Sequence, residues 1–139
     1  MQKQRTYSKC LEKLNAVGLR PTKQRLGLAR LLFERPFDHV TAEQLHKDAH
    51  DARLKISLAT VYNTLNQFSD AGLVREVVLE SSHSYFCTNP SPHHHMYNEA
   101  TGEITDIPVD QIEVSKLPNL PDDLSIASVD VVIRVNQNA

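Results

Sequence analysis

Residues 88–92, with the sequence Thr-Asn-Pro-Ser-Pro, interrupt this chain more sharply than any other segment. Proline lacks a backbone N–H and has a fixed φ, so two prolines this close together exclude a helix and disfavour a central strand. The patterns before this break are mostly helical, whereas those after it are richer in strands. We therefore predict an α+β protein with one domain over residues 1–87, a linker over residues 88–92 and a second domain over residues 93–139.

Four helices are predicted before the break, three of them from apolar residues at helical spacing and the third along the chain from a capping box alone. The capping and terminating residues are Gly18, Thr22, Thr41 with Gln44, Ser57 and Gly72. Valine-rich residues 73–79 and residues 84–87 then predict a hairpin. Together these elements predict a winged helix-turn-helix domain. A small α+β domain without a special purpose is the alternative.

The fourth helix is unusual because its outward face carries almost no charge. Its apolar residues are spaced 3, 4 and 3 positions apart, so they form one buried stripe of Leu58, Val61, Leu65 and Phe68. The outward residues are Ala59, Thr60, Tyr62, Asn63, Asn66 and Gln67. Small and amide side chains allow a helix to enter the major groove of DNA, where Asn or Gln can hydrogen-bond adenine. This face predicts a recognition helix, and a plain solvated surface is the alternative.

Basic side chains flank this helix in the sequence and are candidate phosphate contacts. Arg20, on a predicted loop, is placed to reach a minor groove. Each cation by itself is more simply an ordinary surface residue, but the set as a whole favours DNA binding. The set consists of Arg20, Lys23, Arg25, Arg53 and Lys55.

Charge is divided unevenly along the chain. Residues 1–78 hold 13 lysines and arginines against 8 aspartates and glutamates, a net charge of +5, whereas residues 79–139 hold 2 against 9, a net charge of −7. A basic first part suits phosphates, and an acidic second part suits cations or protein partners. A solvated imbalance without a function is the alternative, and charge alone does not decide between the two.

The composition excludes several classes of protein. Of the 139 residues, 40% are hydrophobic and 23% are charged, as in ordinary globular proteins. No stretch approaches the roughly 18 apolar residues of a membrane span, and the charged N-terminal residues are not followed by the apolar core of a secretory signal. Cys10 and Cys87 are too few for a disulfide framework. We expect a cytoplasmic protein that does not contact a membrane.

Four of the seven histidines lie within 13 residues, and three of them are consecutive. Imidazole is the commonest side-chain metal ligand near neutral pH. If residues 93–97 form a strand, His93 and His95 point to one face and His94 to the other, so the run serves two sites. Nitrogen and oxygen ligands without thiolate suit Mn, Fe(II) or Zn. The carboxylates available nearby are Glu99, Glu103, Asp106, Asp110 and Glu113. A polar loop without any ligand is the alternative.

The second domain is too small to bury much apolar surface alone. Residues 102–107 predict a strand, residues 109–116 a short helix and residues 126–135 a long strand whose valines alternate with polar residues. We expect this strand to complete its core against a second copy of the chain. A homodimer would also present two recognition helices to two half-sites.

Four segments of the chain resemble the ferric uptake regulator (Fur) family. They are GLRPTKQR at residues 18–25, HVTAEQL at residues 39–45, ATVYNTLNQFSDAGLV at residues 59–74 and the histidine run at residues 93–95. The resemblance covers nearly the whole chain. It implies a dimeric transcription regulator with an N-terminal winged helix-turn-helix DNA-binding domain and a small α/β dimerisation domain. It also implies DNA contacts by Arg20 and Tyr62, with Asn63 at a position where arginine is common.

The resemblance further implies two metal sites. A sensing site at the domain junction would use His39, His93, His95 and Asp106, the last at a position where the family usually has glutamate. A glutamate near Cys87 that often joins this site is absent here. A second site would use His94 and Glu113, and it looks incomplete because a later histidine seen in the family is replaced near Val129.

A structural zinc held by a CxxC pair in the family is not expected here, because Asn98 and Thr101 occupy the corresponding positions. This departure is similar to the iron-response regulator (Irr) branch, which responds to haem. Some of its members carry a Cys-Pro haem motif, but Cys10 precedes a leucine in this chain. Haem would therefore bind the histidines His93, His94 and His95, with imidazole as an axial ligand.

We therefore predict an iron-responsive transcriptional regulator that represses or activates genes of iron and haem metabolism. Its affinity for double-stranded operator DNA would be modulated by haem or by a divalent metal. One alternative is a Mn- or Fe-sensing Fur-type repressor without a haem response, and another is a metal- or haem-binding carrier. An enzyme is not expected, because HExxH, nucleophile-elbow and phosphate-binding glycine motifs are missing from the sequence.

Overall fold

The computed structural model describes residues 2–80, 83–89 and 91–138, and it divides into two compact units, Met1–Pro90 and Ser91–Ala139. Each unit has its own three-stranded sheet. The α-helices among the described residues all belong to the first unit. None of these helices is both long and apolar enough to cross a lipid bilayer.

The first unit has the element order of a winged helix-turn-helix. Its elements are α1 (Gln2–Ala16), α2 (Lys23–Phe33), β1 (His39–Val40), α3 (Ala42–Asp51), α4 (Leu58–Asp70), β2 (Arg75–Glu80) and β3 (His83–Cys87). Strands β2 and β3 form the antiparallel hairpin of the wing. The four predicted helices and the hairpin strands are confirmed, and residues 81 and 82 at the predicted hairpin turn lie outside the described residues.

Side-chain caps begin three of these helices where the sequence predicts them. Thr22 and Ser57 each accept a hydrogen bond at 3.1 Å from a backbone N–H in the first turn of the helix that follows. Thr41 forms a complete capping box with Gln44. These contacts satisfy backbone donors that have no partner within the helix, so the positions of the helix starts follow from local chemistry.

The predicted stripe on α4 packs into the core of the first unit. Val61, Leu65 and Phe68 are each 0% exposed, and Leu58 packs against the same core as a partly buried residue. This core also contains residues of the other three helices. Because one side of α4 is held inward in this way, its uncharged polar side faces solvent.

The short strand β1 was not predicted from the sequence. It pairs antiparallel with β3, so the sheet order is β1-β3-β2. Two residues are too few to reveal a period of two. Just after β3, Thr88 is buried and accepts a hydrogen bond from the backbone N–H of Asp38 at 3.0 Å. The first unit therefore includes part of the segment predicted as a linker, of which Pro90 lies outside the described residues.

The second unit is built around β4 (His93–Asn98). Strand β5 (Ile104–Pro108) pairs antiparallel with β4, and β6 (Val132–Val135) pairs parallel with it, so the order is β5-β4-β6. Gly102, with a φ of 76°, lies in the tight turn between β4 and β5. The strands predicted around residues 93–97 and 102–107 are confirmed.

Two predictions for the second unit are wrong in extent. The helix predicted over residues 109–116 is only the 3-10 turn Val109–Gln111, and the strand predicted over residues 126–135 is regular only in β6. The apolar residues of both segments are largely exposed, with Val114 at 43%, Ile126 at 45% and Ile133 at 40%. Regular structure gains most of its stability from packing of its apolar face, and within one copy of the chain these residues remain exposed.

Candidate metal site and nucleic-acid interface

Two histidines and one aspartate bring their ligand atoms together in the second unit. The Nε2 atoms of His93 and His95 are 3.0 Å apart. They lie 3.4 and 3.5 Å from the same atom, Oδ1 of Asp106. Both histidine side chains are buried, at 4% and 3% exposed. Three groups that bind divalent cations therefore converge on one point.

Strand geometry produces this convergence. His95 lies opposite Asp106 in the β4–β5 register, and His93 is on the same face because strand side chains alternate. Nδ1 of His93 donates a hydrogen bond to the backbone carbonyl of Ser91. A proton on Nδ1 leaves Nε2 with the lone pair that a metal ion requires. The predicted shared face of His93 and His95 is confirmed.

The donor set suits a divalent metal ion of the first transition row. Two imidazoles and a carboxylate provide nitrogen and oxygen ligands, which are typical of Mn, Fe(II) and Zn sites. The burial of both imidazoles also reduces the competition from bulk water for their nitrogen atoms. Of the carboxylates considered in the sequence, Asp106 is the one that the described residues place against these histidines.

His39 and Cys87 lie together in the first unit. They are direct partners in the antiparallel pairing of β1 with β3, and each offers a ligand atom within 4.8 Å of the other's. His39 is a predicted ligand of the sensing site, and that role stays a prediction. The thiol of Cys87 was missed as a candidate because only the strand pairing places it opposite a histidine.

The predicted second site, His94 with Glu113, stays a prediction, and both residues lie outside the group of candidate ligands around Asp106. His94 faces away from His93 and His95, as predicted, and its Nδ1 accepts a hydrogen bond at 3.1 Å from the backbone N–H of Val131. Glu113 is exposed in the irregular segment after the 3-10 turn. Among the described residues, neither of these two belongs to a group of three or more potential metal ligands.

Polar side chains close the β4–β5 turn at Asn98 and Thr101, the positions to which the resemblance assigns a CxxC pair. Oδ1 of Asn98 accepts hydrogen bonds from the backbone N–H groups of Ala100 at 2.9 Å and Thr101 at 3.2 Å. Oγ1 of Thr101 accepts one from the backbone N–H of Glu103 at 3.2 Å. Hydrogen bonds thus hold this turn in the conformation that Gly102 permits.

The candidate nucleic-acid interface is the solvent side of α4 in the first unit. Of the predicted contact residues there, Ala59, Tyr62 and Asn63 are exposed and Thr60 is partly exposed. Asn66 and Gln67 extend the same uncharged face by a further turn and are also exposed. A helix with this surface has the steric profile and the hydrogen-bonding groups for a major groove.

Glu43, in the first turn of α3, holds the tyrosine of this face. The hydroxyl of Tyr62 donates a hydrogen bond to Oε1 of Glu43. This bond is the main reason that the pKa of Tyr62 is raised above its ordinary value. The hydroxyl therefore stays protonated throughout the physiological pH range, and it donates its single proton to Glu43.

We expect Glu43→Gln to lower the pKa of Tyr62 toward its ordinary value. A neutral amide accepts the phenol hydrogen bond without opposing the phenolate charge as a carboxylate does. The pKa is measured by ultraviolet titration of the phenolate, with the Tyr62→Phe protein subtracted to remove the other three tyrosines. An unchanged difference curve would show that Glu43 does not contact Tyr62 in solution.

Arg25 connects α4 to the loop that carries Arg20. Its Nε and Nη2 donate to Oε1 of Gln67 at 3.2 and 3.0 Å. Its Nη1 donates to the backbone carbonyl of Arg20 at 2.8 Å. Two donors thus occupy the amide oxygen of Gln67, so this side chain presents its NH₂ group and not the donor–acceptor pair that reads adenine. The remaining predicted cations, Arg20, Lys23 and Lys55, are exposed.

Comparison with known protein sequences gives a consistent result. A profile described as the Ferric uptake regulator family matches residues 16–133. The Ferric uptake regulation protein of Shigella flexneri is 40% identical over 101 residues, which are 72% of this chain and 68% of that protein.

Two solved structures are similar in fold. The ferric uptake regulator of Pseudomonas aeruginosa with manganese has a TM-score of 0.75 and 26% identity, covering 94% of this chain and 98% of that one. The ferric uptake regulator of Vibrio cholerae has a TM-score of 0.67 and 26% identity, covering 91% and 98%. The predicted fold class, an α+β chain with a DNA-binding domain before a dimerisation domain, is confirmed.

Proposed function

This chain belongs to the ferric uptake regulator family of metal-responsive, DNA-binding transcription regulators, and on that premise we propose that it binds operator DNA as a homodimer whose affinity is set by a divalent metal ion. The observation that carries the proposal is the convergence of His93, His95 and Asp106 on one point in the second unit. Because its target is chromosomal DNA, we place its action in the cytoplasm.

The proposed sensing site uses His93, His95 and Asp106 as ligands. His39 is a further proposed ligand, on the basis of the family resemblance. A bound divalent ion would supply positive charge that draws these donors together. The chain itself prepares the site, because Ser91 orients the His93 ring and strand pairing holds Asp106 opposite His95. The proposed second site, His94 with Glu113, has weaker support, since one nitrogen of His94 already accepts a backbone hydrogen bond.

The proposed DNA interface comprises the uncharged face of α4 and the cations near it. Tyr62 would contact a base or a phosphate, and its hydroxyl proton would have to leave Glu43 to be donated to a phosphate oxygen. Arg20 would approach the minor groove from a loop that Arg25 ties to α4. Metal binding and DNA binding are then linked, so each ligand raises the affinity for the other by the same factor. The other proposed contacts are Lys23, Arg25, Lys55, Ala59, Thr60 and Asn63.

Haem is the other effector that the sequence predicts. The geometry favours a metal ion, because His93 and His95 direct their Nε2 atoms at one carboxylate oxygen and not at an open face. Nδ1 of His94 is engaged by the backbone of Val131, so haem ligation by this residue would have to use Nε2. Membership of the iron-response branch is therefore proposed only from the polar residues that stand in place of the CxxC pair. We propose no structural zinc held by four cysteines.

A homodimer is supported by uncovered apolar residues in the second unit. Eight large hydrophobic side chains between residues 109 and 133 are each at least 37% exposed. They are Val109, Val114, Leu117, Leu120, Leu124, Ile126, Val129 and Ile133. An apolar surface this dense on a small unit is typical of a protein–protein interface, and a second copy supplies a matching surface by symmetry.

The proposal is tested by DNA binding at fixed salt. Metal-free protein and Mn(II)-loaded protein are titrated against a duplex long enough for two half-sites, about 25 base pairs, selected from a random library by the loaded protein. We expect Mn(II) to tighten binding, and we expect Tyr62→Ala and Arg20→Ala each to weaken it about tenfold by removing one direct contact. Arg30→Ala is the matched control, since this arginine is already paired with Glu34 at 3.3 Å.

The same assay separates the other functions. If haem instead of Mn(II) changes the DNA affinity, the haem-responsive proposal replaces the metal-responsive one. A protein in which alanine replaces His93, His94 and His95 would then lose its Soret band if haem binds there. If the protein binds metal but shows no preference for any selected duplex over random DNA, it is a metal carrier and the regulator proposal is wrong.

A further inference from the structure

Three helices of the first unit end in the same backbone motif. After α1, α3 and α4 the chain turns through one left-handed residue, and the next residue donates its N–H to a carbonyl five positions earlier, at 2.8–2.9 Å. The left-handed residues are Gly18, Arg53 and Gly72, with φ of 75°, 62° and 83°. Glycine is the usual residue at such a position because it has no Cβ to clash with the following carbonyl. Arginine at the end of α3 is therefore a costly choice.

Nothing within the described part of the chain compensates for this cost. The Arg53 side chain is exposed, and the ion pairs recorded among the described residues do not include it. A strained conformation that contributes no packing and no pairing is a frequent mark of a functional position. Arg53 is therefore a candidate functional residue.

Arg53 lines a pocket of about 300 Å³ together with two lysines. The lining residues are Lys23, Gln24, Arg53, Leu54, Lys55 and Ile56. Packing holds this pocket in shape: Gly27 on α2 lies so close to Leu54 that a Cβ at position 27 would be 2.9 Å from Leu54 Cδ1. The loop bearing Arg53 and Lys55 is thereby fixed against the helix bearing Lys23.

The charge of this pocket differs from that of another pocket in the same unit. Three cations line it without a carboxylate. A second pocket of about 450 Å³ in the same unit contains Arg35, but there Asp48 pairs with Arg35 at 2.7 Å and two further aspartates line the wall. Cations placed together without counter-charges repel one another, so such a cluster indicates an anionic ligand.

We infer that the pocket lined by Lys23, Arg53 and Lys55 binds a phosphate group of the DNA backbone beside the groove that α4 enters, with Arg53 as its main ligand. Lys55 is two residues before the Ser57 cap of α4, and Lys23 directly follows the Thr22 cap of α2. The backbone N–H groups of both first turns add positive potential near the site. This inference rests on the proposed function and adds a contact that is independent of DNA sequence.

The test compares three substitutions of Arg53 in the full-length protein. We expect Arg53→Gly to weaken DNA binding about tenfold and to reduce the slope of log affinity against log salt by about 0.9 for each subunit bound. Its thermal midpoint should equal or exceed that of the wild type, because glycine relieves the left-handed strain. Arg53→Gln should lose the same affinity without gaining stability, and Arg53→Lys should keep most of the salt slope.

The control is Lys47→Gln, which removes a cation from the carboxylate-lined pocket and should leave the salt slope unchanged. Both the selected duplex and a random duplex are used, because a phosphate contact weakens binding to each equally. An Arg53→Gly protein with wild-type salt dependence, or with a lower midpoint, would overturn the inference. The inference would also be overturned if inorganic phosphate stabilised the wild type but not the Arg53 variants, while all of these proteins bound DNA with the same affinity. If the wild type binds no DNA at all, the proposed function itself fails.

Discussion

Replacing His95 with alanine is expected to lower the affinity of the chain for Mn(II) by about 100-fold or more. His95 supplies one of the three converging donors, and its Nε2 lies 3.0 Å from that of His93 and 3.5 Å from Oδ1 of Asp106. Even outer partners of metal ligands change affinity about 10- to 100-fold when removed, so a direct ligand should matter at least as much. Affinity is measured by calorimetry or by competition with a chelator.

Asp106→Asn should lower the Mn(II) affinity by a similar factor with nearly unchanged side-chain size. The amide keeps the volume of the side chain but loses the negative charge. That charge attracts the cation, whereas the two imidazole ligands are neutral. His50→Ala is the matched control, because this histidine is exposed on α3 and outside the converging group. Both metal-site variants should also lose the effect of Mn(II) on DNA binding. Wild-type Mn(II) affinity in His95→Ala would show that the ion binds elsewhere.

Replacing Phe68 with alanine is expected to lower the free energy of unfolding of the first unit by about 3–5 kcal/mol, as is usual when a buried phenylalanine is removed from a core. Phe68 is 0% exposed and belongs to the cluster that holds α4 against the rest of the unit. The loss is measured by denaturant unfolding followed by helical circular dichroism, which reports this unit because the described α-helices lie in it.

Tyr62→Ala is the matched comparison on the opposite side of the same helix. Tyr62 is 38% exposed, and its hydrogen bond to Glu43 is at the surface, so its removal should change stability by less than about 1 kcal/mol. The two variants thus separate the roles of the two faces: Phe68→Ala loses stability, whereas Tyr62→Ala loses DNA affinity with the fold intact. The reverse result would mean that the face assigned to DNA is part of the core.

Local sequence signals were sufficient for most of the first unit. A capping side chain, an apolar stripe and a terminating glycine act within a few residues of one another, so Thr22, Ser57 and Gly72 could be interpreted without knowledge of the fold. The shared face of His93 and His95 is equally local, because it depends only on strand alternation. The second unit was less predictable, since its apolar residues 109–133 lack a covering surface within one copy of the chain.

The amino-acid order by itself therefore determined the helices, the uncharged face of α4 and the candidate histidines. Only the tertiary structure decided which groups meet across distance: Asp106 opposite His95, Cys87 opposite His39, Glu43 on the hydroxyl of Tyr62, and Arg53 beside Lys23. The reason is physical. Capping and periodicity are set by neighbours along the chain, whereas these contacts depend on strand register and core packing, which many distant residues determine together.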